Sequence, residues 1–178
     1  MDKIILHELS FYYGYLPNID NKKLITHILK KGVLGSPDET DSIHEDLYFP
    51  SHKEYEKILQ GINKYFIKAH GYVLQPTRFW SQIHLPNQST NTHNHLDVEN
   101  MSQGPAYSGV YYLQCDARSG YFCFQYKKDG VTFSRWKIKP EVGKFILFPP
   151  YLEHFVTRNY SNERRISISF NFNTERCN

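Results

Sequence analysis

The run RISISFNF, from Arg165 to Phe172, alternates Ile166, Ile168, Phe170 and Phe172 with Arg165, Ser167, Ser169 and Asn171. A period of two marks a strand whose successive side chains leave opposite faces of a sheet. One face must enter an apolar core, and the other meets a polar cavity or solvent. Such a strand needs partners, and the chain from Tyr72 onward supplies them. Short aromatic and β-branched runs separated by turn residues fall at Thr77–His84, Ser108–Cys115, Tyr121–Tyr126, Thr132–Ile138, Lys144–Phe148 and His154–Arg158. Lys128-Asp129-Gly130 is a hairpin signal, because Asp-Gly suits a turn that needs positive φ. Aromatic residues, at 16% of the chain, fit half-buried strands better than a helical bundle.

The first 75 residues read differently. Ile19, Leu24, Ile25, Ile28 and Leu29 recur at helical spacing between Asn18 and Lys31, and Gly32 follows as a stop signal. The stretch from Gly32 to Ser51 is rich in Gly, Ser, Pro and Asp and reads as loop. Ser51 with Glu54 three residues later forms a capping-box pattern. It opens a helix with Tyr55, Ile58, Leu59, Ile62, Tyr65, Phe66 and Ala69 on one face, ending at Gly71. The reading is a single domain over residues 1–178, with a helical and mixed region at 1–75 and a β core at 76–174. The expected fold is mainly β: a jelly-roll type of double-stranded barrel, with the N-terminal helices packed against one sheet.

The net charge of +3 gives no electrostatic case for a nucleic acid or an anionic membrane as partner. No apolar run suits a signal peptide or a spanning helix. Cys115, Cys123 and Cys177 form no CxxC pair, so neither a disulfide framework nor a zinc site is expected. A cytoplasmic location is the default expectation.

The densest constellation of chemistry is NTHNHLDVEN, with His93, His95, Asp97 and Glu99 at every second position. In an extended segment, residues i and i+2 point the same way, so His95 and Asp97 could close on one ion. His154, in FPPYLEHF, is the natural third donor. Two imidazoles and a carboxylate on one face describe the facial triad of non-haem Fe(II), which leaves positions open for substrates. The blander alternative is a solvated His-rich turn, since short motifs have a high false-positive risk. His7, His27, His44, His52, His70 and His84 are assigned no metal role.

Arg165 and Ser167 share the polar face of the last strand. An arginine aimed into a barrel is costly to bury unless it meets an anion. Its planar fork suits a carboxylate, to which a serine hydroxyl can add a hydrogen bond. A structural Asp or Glu could equally be its partner.

The stretches SGVYYL (Ser108–Leu113), GKFILFPPYLEHFV (Gly143–Val156) and RRISISFNF (Arg164–Phe172) resemble the Fe(II)/2-oxoglutarate-dependent oxygenases of bacteria and phages. The similarity covers roughly Trp80 to Asn173. It implies a double-stranded β-helix with iron at one mouth, and a dioxygenase that hydroxylates a substrate with release of succinate and CO2. It places Fe(II) on His95, Asp97 and His154. It places the far carboxylate of 2-oxoglutarate on Arg165 and Ser167. Tyr111 or Tyr112 adds a hydroxyl to the co-substrate, and alternation lets only one of them face inward. Members of this family often show HxH and run almost directly into the SGVYYL strand. Here Leu96 to Tyr107 intervenes, so His93 stands as an alternative ligand and the added stretch as a candidate lid.

A cupin is the nearest rival: His93, His95, Glu99 and His154 resemble its four-ligand pattern, and such a site need not use 2-oxoglutarate. Tyr151 stands where the second cupin motif wants Gly. A non-catalytic jelly roll is a third class. Tyr107, Tyr121, Phe122, Phe124, Tyr126 and Trp136 are read mainly as core. The expected substrate is a small molecule or a peptidyl residue, and the N-terminal helices could serve a homodimer.

Overall fold

The computed structural model describes residues 9–31, 42–46, 52–96, 104–127 and 131–176. Ten strands and two helices occur among them: β1 Tyr12–Tyr15, α1 Asn21–Lys31, β2 Ser42–Asp46, α2 Lys53–His70, β3 Tyr72–His84, β4 Thr90–His93, β5 Tyr107–Gln114, β6 Phe122–Lys127, β7 Phe133–Ile138, β8 Lys144–Phe148, β9 His154–Val156 and β10 Arg165–Arg176. A six-stranded sheet has the order β1-β8-β5-β10-β3-β2, and a four-stranded sheet the order β4-β9-β6-β7. All the pairings are antiparallel. This is the expected double-stranded β-helix.

The alternation of β10 decides how the layers stack. Ile166, Ile168, Phe170 and Phe172 are buried with Phe79, Tyr111 and Leu147 against Leu24, Ile28, Tyr55, Ile58, Ile62 and Phe66 of the two helices. The helices therefore cover the outer face of the larger sheet, as the sequence predicts. A second core lies between the sheets and contains Val110, Tyr112, Phe122, Phe124, Ile146, Phe148, Leu152 and Val156. Burying a large apolar side chain is worth about 1.5–3 kcal/mol, and β10 contributes four to the first core alone.

Local signals set the helix ends. Asp20 caps α1, its carboxylate accepting from the Lys23 N–H at 3.2 Å, so the helix starts three residues later than Asn18. Glu54 joins the two helices by accepting from the Asp20 N–H at 2.9 Å. The cap of α2 is His52, whose Nδ1 accepts from the Glu54 N–H. Ser51, like Gly32, lies outside the described residues. Gly71 ends α2 at φ 71°, the left-handed position where glycine carries no Cβ penalty.

Several expectations need correction. Tyr65 and Ala69 lie on the solvent side of α2 rather than in its core stripe. Tyr121 and Trp136 are exposed, whereas Phe122 and Phe124 are core. The stretch read as loop contains β2, which pairs with β3 from Ser42↔Ile83 to Asp46↔Phe79. The Lys128-Asp129-Gly130 turn, Cys177 and most of the candidate lid (97–103) lie outside the described residues. Cys115 and Cys123 are free thiols.

Candidate active site

The inward face of β10 forms the floor of a cavity of about 540 Å³ between the sheets. Register lines up three columns. Arg165, Ser167, Ser169 and Asn171 of β10 sit beside His84, Gln82, Trp80 and Arg78 of β3. On the other side Ser167, Ser169 and Asn171 pair with Tyr112, Val110 and Ser108 of β5. Burial falls along the floor, from Arg165 and His84 at 0% exposure to the exposed Arg78. The cavity has a sealed inner end and an open mouth.

Three histidines meet above this floor. His93 ends β4 and lies opposite His154 of β9 in register. His95, two residues on, points the same way, its backbone N–H held by the Pro150 carbonyl at 2.8 Å. Ligand atoms of His93, His95 and His154 all fall within 4.8 Å of one another.

Each of these imidazoles has its tautomer set by an oxygen at Nδ1. The His93 Nδ1 lies 2.8 Å from the Asn91 carbonyl, and the His154 Nδ1 2.9 Å from the Leu152 carbonyl. A carbonyl only accepts, so both Nδ1 atoms carry the proton. The Ser108 hydroxyl donates to Asn171 Oδ1 at 2.8 Å. The His95 Nδ1, 2.7 Å from Ser108 Oγ and 2.9 Å from Asn171 Oδ1, must then be a donor as well. Among the described residues, all three Nε2 lone pairs are left for another partner. Oxygen acceptors behind the ring are the usual support of a metal-bound histidine.

The surroundings keep two of these rings, His95 and His154, neutral. Burial, with His93 adding a little, pushes His95 down to about 4. Burial also takes His154 well below its ordinary value, with His95 and His93 contributing. Aromatic rings fix the orientations: Phe122 stacks on His154 at 5.2 Å, and Trp80 lies 5.3 Å from His95. Three imidazole nitrogens this close together suit a divalent transition metal such as iron. Asp97 and Glu99 lie outside the described residues.

At the sealed end Arg165 is fully buried, with no partner for Nε or Nη2 among the described residues. Its guanidinium sits 5.1 Å from the centre of the Tyr112 ring. The Tyr112 hydroxyl and the Ser167 hydroxyl are likewise buried and unpartnered. Burial pushes the Tyr112 phenol up to about 12 against the opposing effect of Arg165, so it stays a donor. A buried guanidinium beside two orphaned hydroxyls is a cradle for an anion with several oxygens. Tyr111 faces the other way and donates to Asn21 Oδ1 at 3.0 Å.

The matching family model, described as "Putative 2OG-Fe(II) oxygenase", spans residues 78–171, just over half of the chain. The chain belongs to this family of 2OG-Fe(II) oxygenases. The match takes in all three histidines and Arg165, and it decides against the cupin reading. The 2OG-Fe(II) oxygenase fold recurs in solved structures. A Pseudomonas putida prolyl-4-hydroxylase is 15% identical with a TM-score of 0.67, over 93% of this chain and 92% of that one. A viral collagen prolyl hydroxylase from Paramecium bursaria Chlorella virus-1, in complex with 2OG, is 17% identical with a TM-score of 0.62, covering 91% and 94%. HygX from Streptomyces hygroscopicus, with nickel, 2-oxoglutarate and hygromycin B bound, is 13% identical with a TM-score of 0.65, covering 93% and 83%. No curated protein matches the chain by sequence. The enzyme is an Fe(II)- and 2-oxoglutarate-dependent oxygenase. Among the described residues no helix is long and apolar enough to cross a membrane.

Sequence reasoning missed two residues at the sealed end. His84 Nδ1 lies 3.2 Å from Arg165 Nη1. Asn159, 1% exposed, donates to the His84 carbonyl at 3.1 Å and ties the loop before β10 to the end of β3. Neither belongs to a motif, and both act across long sequence separations.

Proposed function

We propose that this oxygenase holds its iron on His93, His95 and His154, and the far carboxylate of 2-oxoglutarate on Arg165, Ser167 and Tyr112. The observation that carries this reading is the pairing of three Nε2 atoms that meet no partner among the described residues with one buried guanidinium whose Nε and Nη2 meet none there either, in a single cavity. His95 then stands where the sequence pattern HxD would put its histidine, and His93 takes the place assigned to Asp97.

When bound, Fe(II) with 2-oxoglutarate and O2 supplies the oxidising power to hydroxylate a C–H bond, releasing succinate and CO2. The chain's own residues do the positioning. The Nδ1–H groups of the three histidines stay on Asn91, Leu152, Ser108 and Asn171, which fixes the tautomer that presents Nε2 as the ligand atom. Arg165 neutralises the co-substrate's far carboxylate, while Ser167 and Tyr112 donate hydroxyl protons to it. Phe122, Val110 and Val156 line the wall and exclude water from the reacting atoms. The substrate enters at the mouth formed by Arg78, Trp80, Asn91 and Asn94. A small molecule or a peptidyl residue is the substrate class. Both kinds occur among proteins of this fold: HygX carries hygromycin B, and a Trichoplax adhaerens prolyl hydroxylase carries a peptide fragment.

The test is an anaerobic titration of the Fe(II)-loaded protein with 2-oxoglutarate, following the visible absorption of the chelate. A saturable band that weakens in Arg165→Ala is expected. Iron-loaded protein that gives no band would overturn the co-substrate assignment. Equal bands in Arg165→Ala and wild type would remove Arg165 from it.

A further inference from the structure

We propose that His84 is a positioning residue for co-substrate binding: a neutral imidazole that fixes the Arg165 guanidinium so that its two remaining donor edges face the cavity. The inference rests on the assignment of Arg165 to the carboxylate of 2-oxoglutarate.

A guanidinium has donors and no acceptor. The 3.2 Å contact between Arg165 Nη1 and His84 Nδ1 therefore requires Nδ1 to accept, and the His84 proton to sit on Nε2. That proton meets Thr90 Oγ1 at 2.7 Å. Thr90 Oγ1 also accepts from Gln82 Nε2 at 3.1 Å. The chain of bonds runs in one direction, from Arg165 through His84 to Thr90. Each step fixes the rotation of the group before it. His84 is fully buried, and its backbone carbonyl is held by Asn159, so the imidazole cannot swing away without breaking this corner.

The consequence for Arg165 is geometric. With Nη1 committed to His84, rotation about the guanidinium is fixed, and Nε and Nη2 are the donors left unpartnered among the described residues. Those two lie on one edge of the planar group, the edge that grips a carboxylate with two parallel bonds. An acceptor is needed here rather than a carboxylate. An acid would satisfy Arg165 and compete with the incoming anion, whereas an imidazole orients the charge without cancelling it. Burial and the Arg165 charge hold His84 at about 3, so it remains neutral wherever the enzyme works.

The network also reaches the metal side. Thr90 is the first residue of β4, three residues before His93, and it pairs with Val156 of β9, the strand that carries His154. His84 thus ties the co-substrate end to both strands that bear histidines.

The test compares His84→Phe, His84→Asn and His84→Gln with wild type and Arg165→Ala. The Mn(II)-loaded proteins are titrated by calorimetry with 2-oxoglutarate, and separately with pyruvate, which has the keto acid but no far carboxylate. Phe keeps the ring and loses the acceptor. Asn keeps an acceptor at the level of Nδ1. Gln reaches instead toward Thr90. His84→Phe is expected to weaken 2-oxoglutarate binding tenfold or more, roughly the worth of one hydrogen bond to a charged group. It should leave pyruvate and Mn(II) affinity unchanged, and His84→Asn should recover most of the loss while His84→Gln does not. Equal 2-oxoglutarate affinity in His84→Phe and wild type overturns the proposal, as does equal weakening of pyruvate. If His84→Phe does not fold, the order of Asn and Gln decides, and Gln matching or exceeding Asn overturns it. Unchanged binding in Arg165→Ala would instead sink the underlying co-substrate assignment.

Discussion

His93 and His154 face each other directly across the β4–β9 ladder, their ring centroids 4.3 Å apart. Antiparallel partners at one register position project to the same side of a sheet, so the backbone itself brings these two nitrogen donors together. His95 completes the group from the segment beyond β4, 4.8 Å from His154 between ring centres. Replacing His93 or His154 with Ala should therefore cost at least a hundredfold in Fe(II) affinity, read as metal retained after dialysis. Asp97→Asn should retain its iron. Loss of iron in Asp97→Asn with retention in His93→Ala would restore the ligand set His95, Asp97 and His154.

The oxygen pair behind His95 offers a subtler probe. Ser108 and Asn171 touch His95 at Nδ1 only. Removing either acceptor frees the ring and its tautomer. Asn171→Ala should weaken Fe(II) binding by about ten- to a hundredfold while 2-oxoglutarate affinity of the metal-saturated enzyme changes little. Metal titration of the apoprotein checks this.

The two adjacent tyrosines should behave as opposites. Tyr111→Phe removes the bond to Asn21 and should cost about 1 kcal/mol of stability, leaving co-substrate affinity intact. Tyr112→Phe removes a buried hydroxyl that meets no hydrogen-bond partner among the described residues. It should leave the apoprotein's melting temperature unchanged or raised, and weaken 2-oxoglutarate binding. Thermal melts beside anaerobic titrations separate the pair.

Acid should unfold the apoprotein through its buried imidazoles. His84 is held at about 3 and His95 at about 4, both below the ordinary value of 6.5. The unfolded chain then binds protons that the native state refuses, so stability falls as pH drops from about 6.5 toward about 3, and is fully present above 6.5. Each unit of depression is worth about 1.4 kcal/mol. Denaturant melts of His84→Asn should show a shallower decline over that window than wild type. Parallel curves would remove His84 from the account.

Two glycines should differ although both have positive φ. Gly71, at φ 71°, opens onto empty space, so Gly71→Ala costs only the left-handed backbone, about 1–2 kcal/mol. Gly120, at φ 77°, would drive a Cβ into the Thr157 and Arg158 carbonyl oxygens. Gly120→Ala should cost clearly more, seen as the larger loss of melting temperature.

Legibility followed sequence distance. The long alternating strands could be read because each carries its own period. β4 could not: Thr90-Asn91-Thr92-His93 has no apolar face and becomes a strand only by pairing with β9. β2 is similarly polar, and it exists through its ladder with β3. The choice between Tyr111 and Tyr112 depended on register. The shift between Ile166 and Ser167 sets Tyr112, not Leu113, opposite Ser167. His84 stayed hidden for a related reason. Its role is a contact with a residue 81 positions away, and no pattern of neighbours announces it.

The interleaving of β10 has a consequence for how this gene tolerates change. Ile166, Ile168, Phe170 and Phe172 belong to the helix-side core, while Arg165, Ser167, Ser169 and Asn171 form the cavity floor. Random single substitutions along this strand should fall into two alternating phenotypes: variants that lose soluble expression, and well-expressed variants that are inert. An insertion or deletion of one codon would exchange the two faces at a stroke and give both defects together. Lineages are therefore constrained at these positions residue by residue, and the strand's length is closed to them.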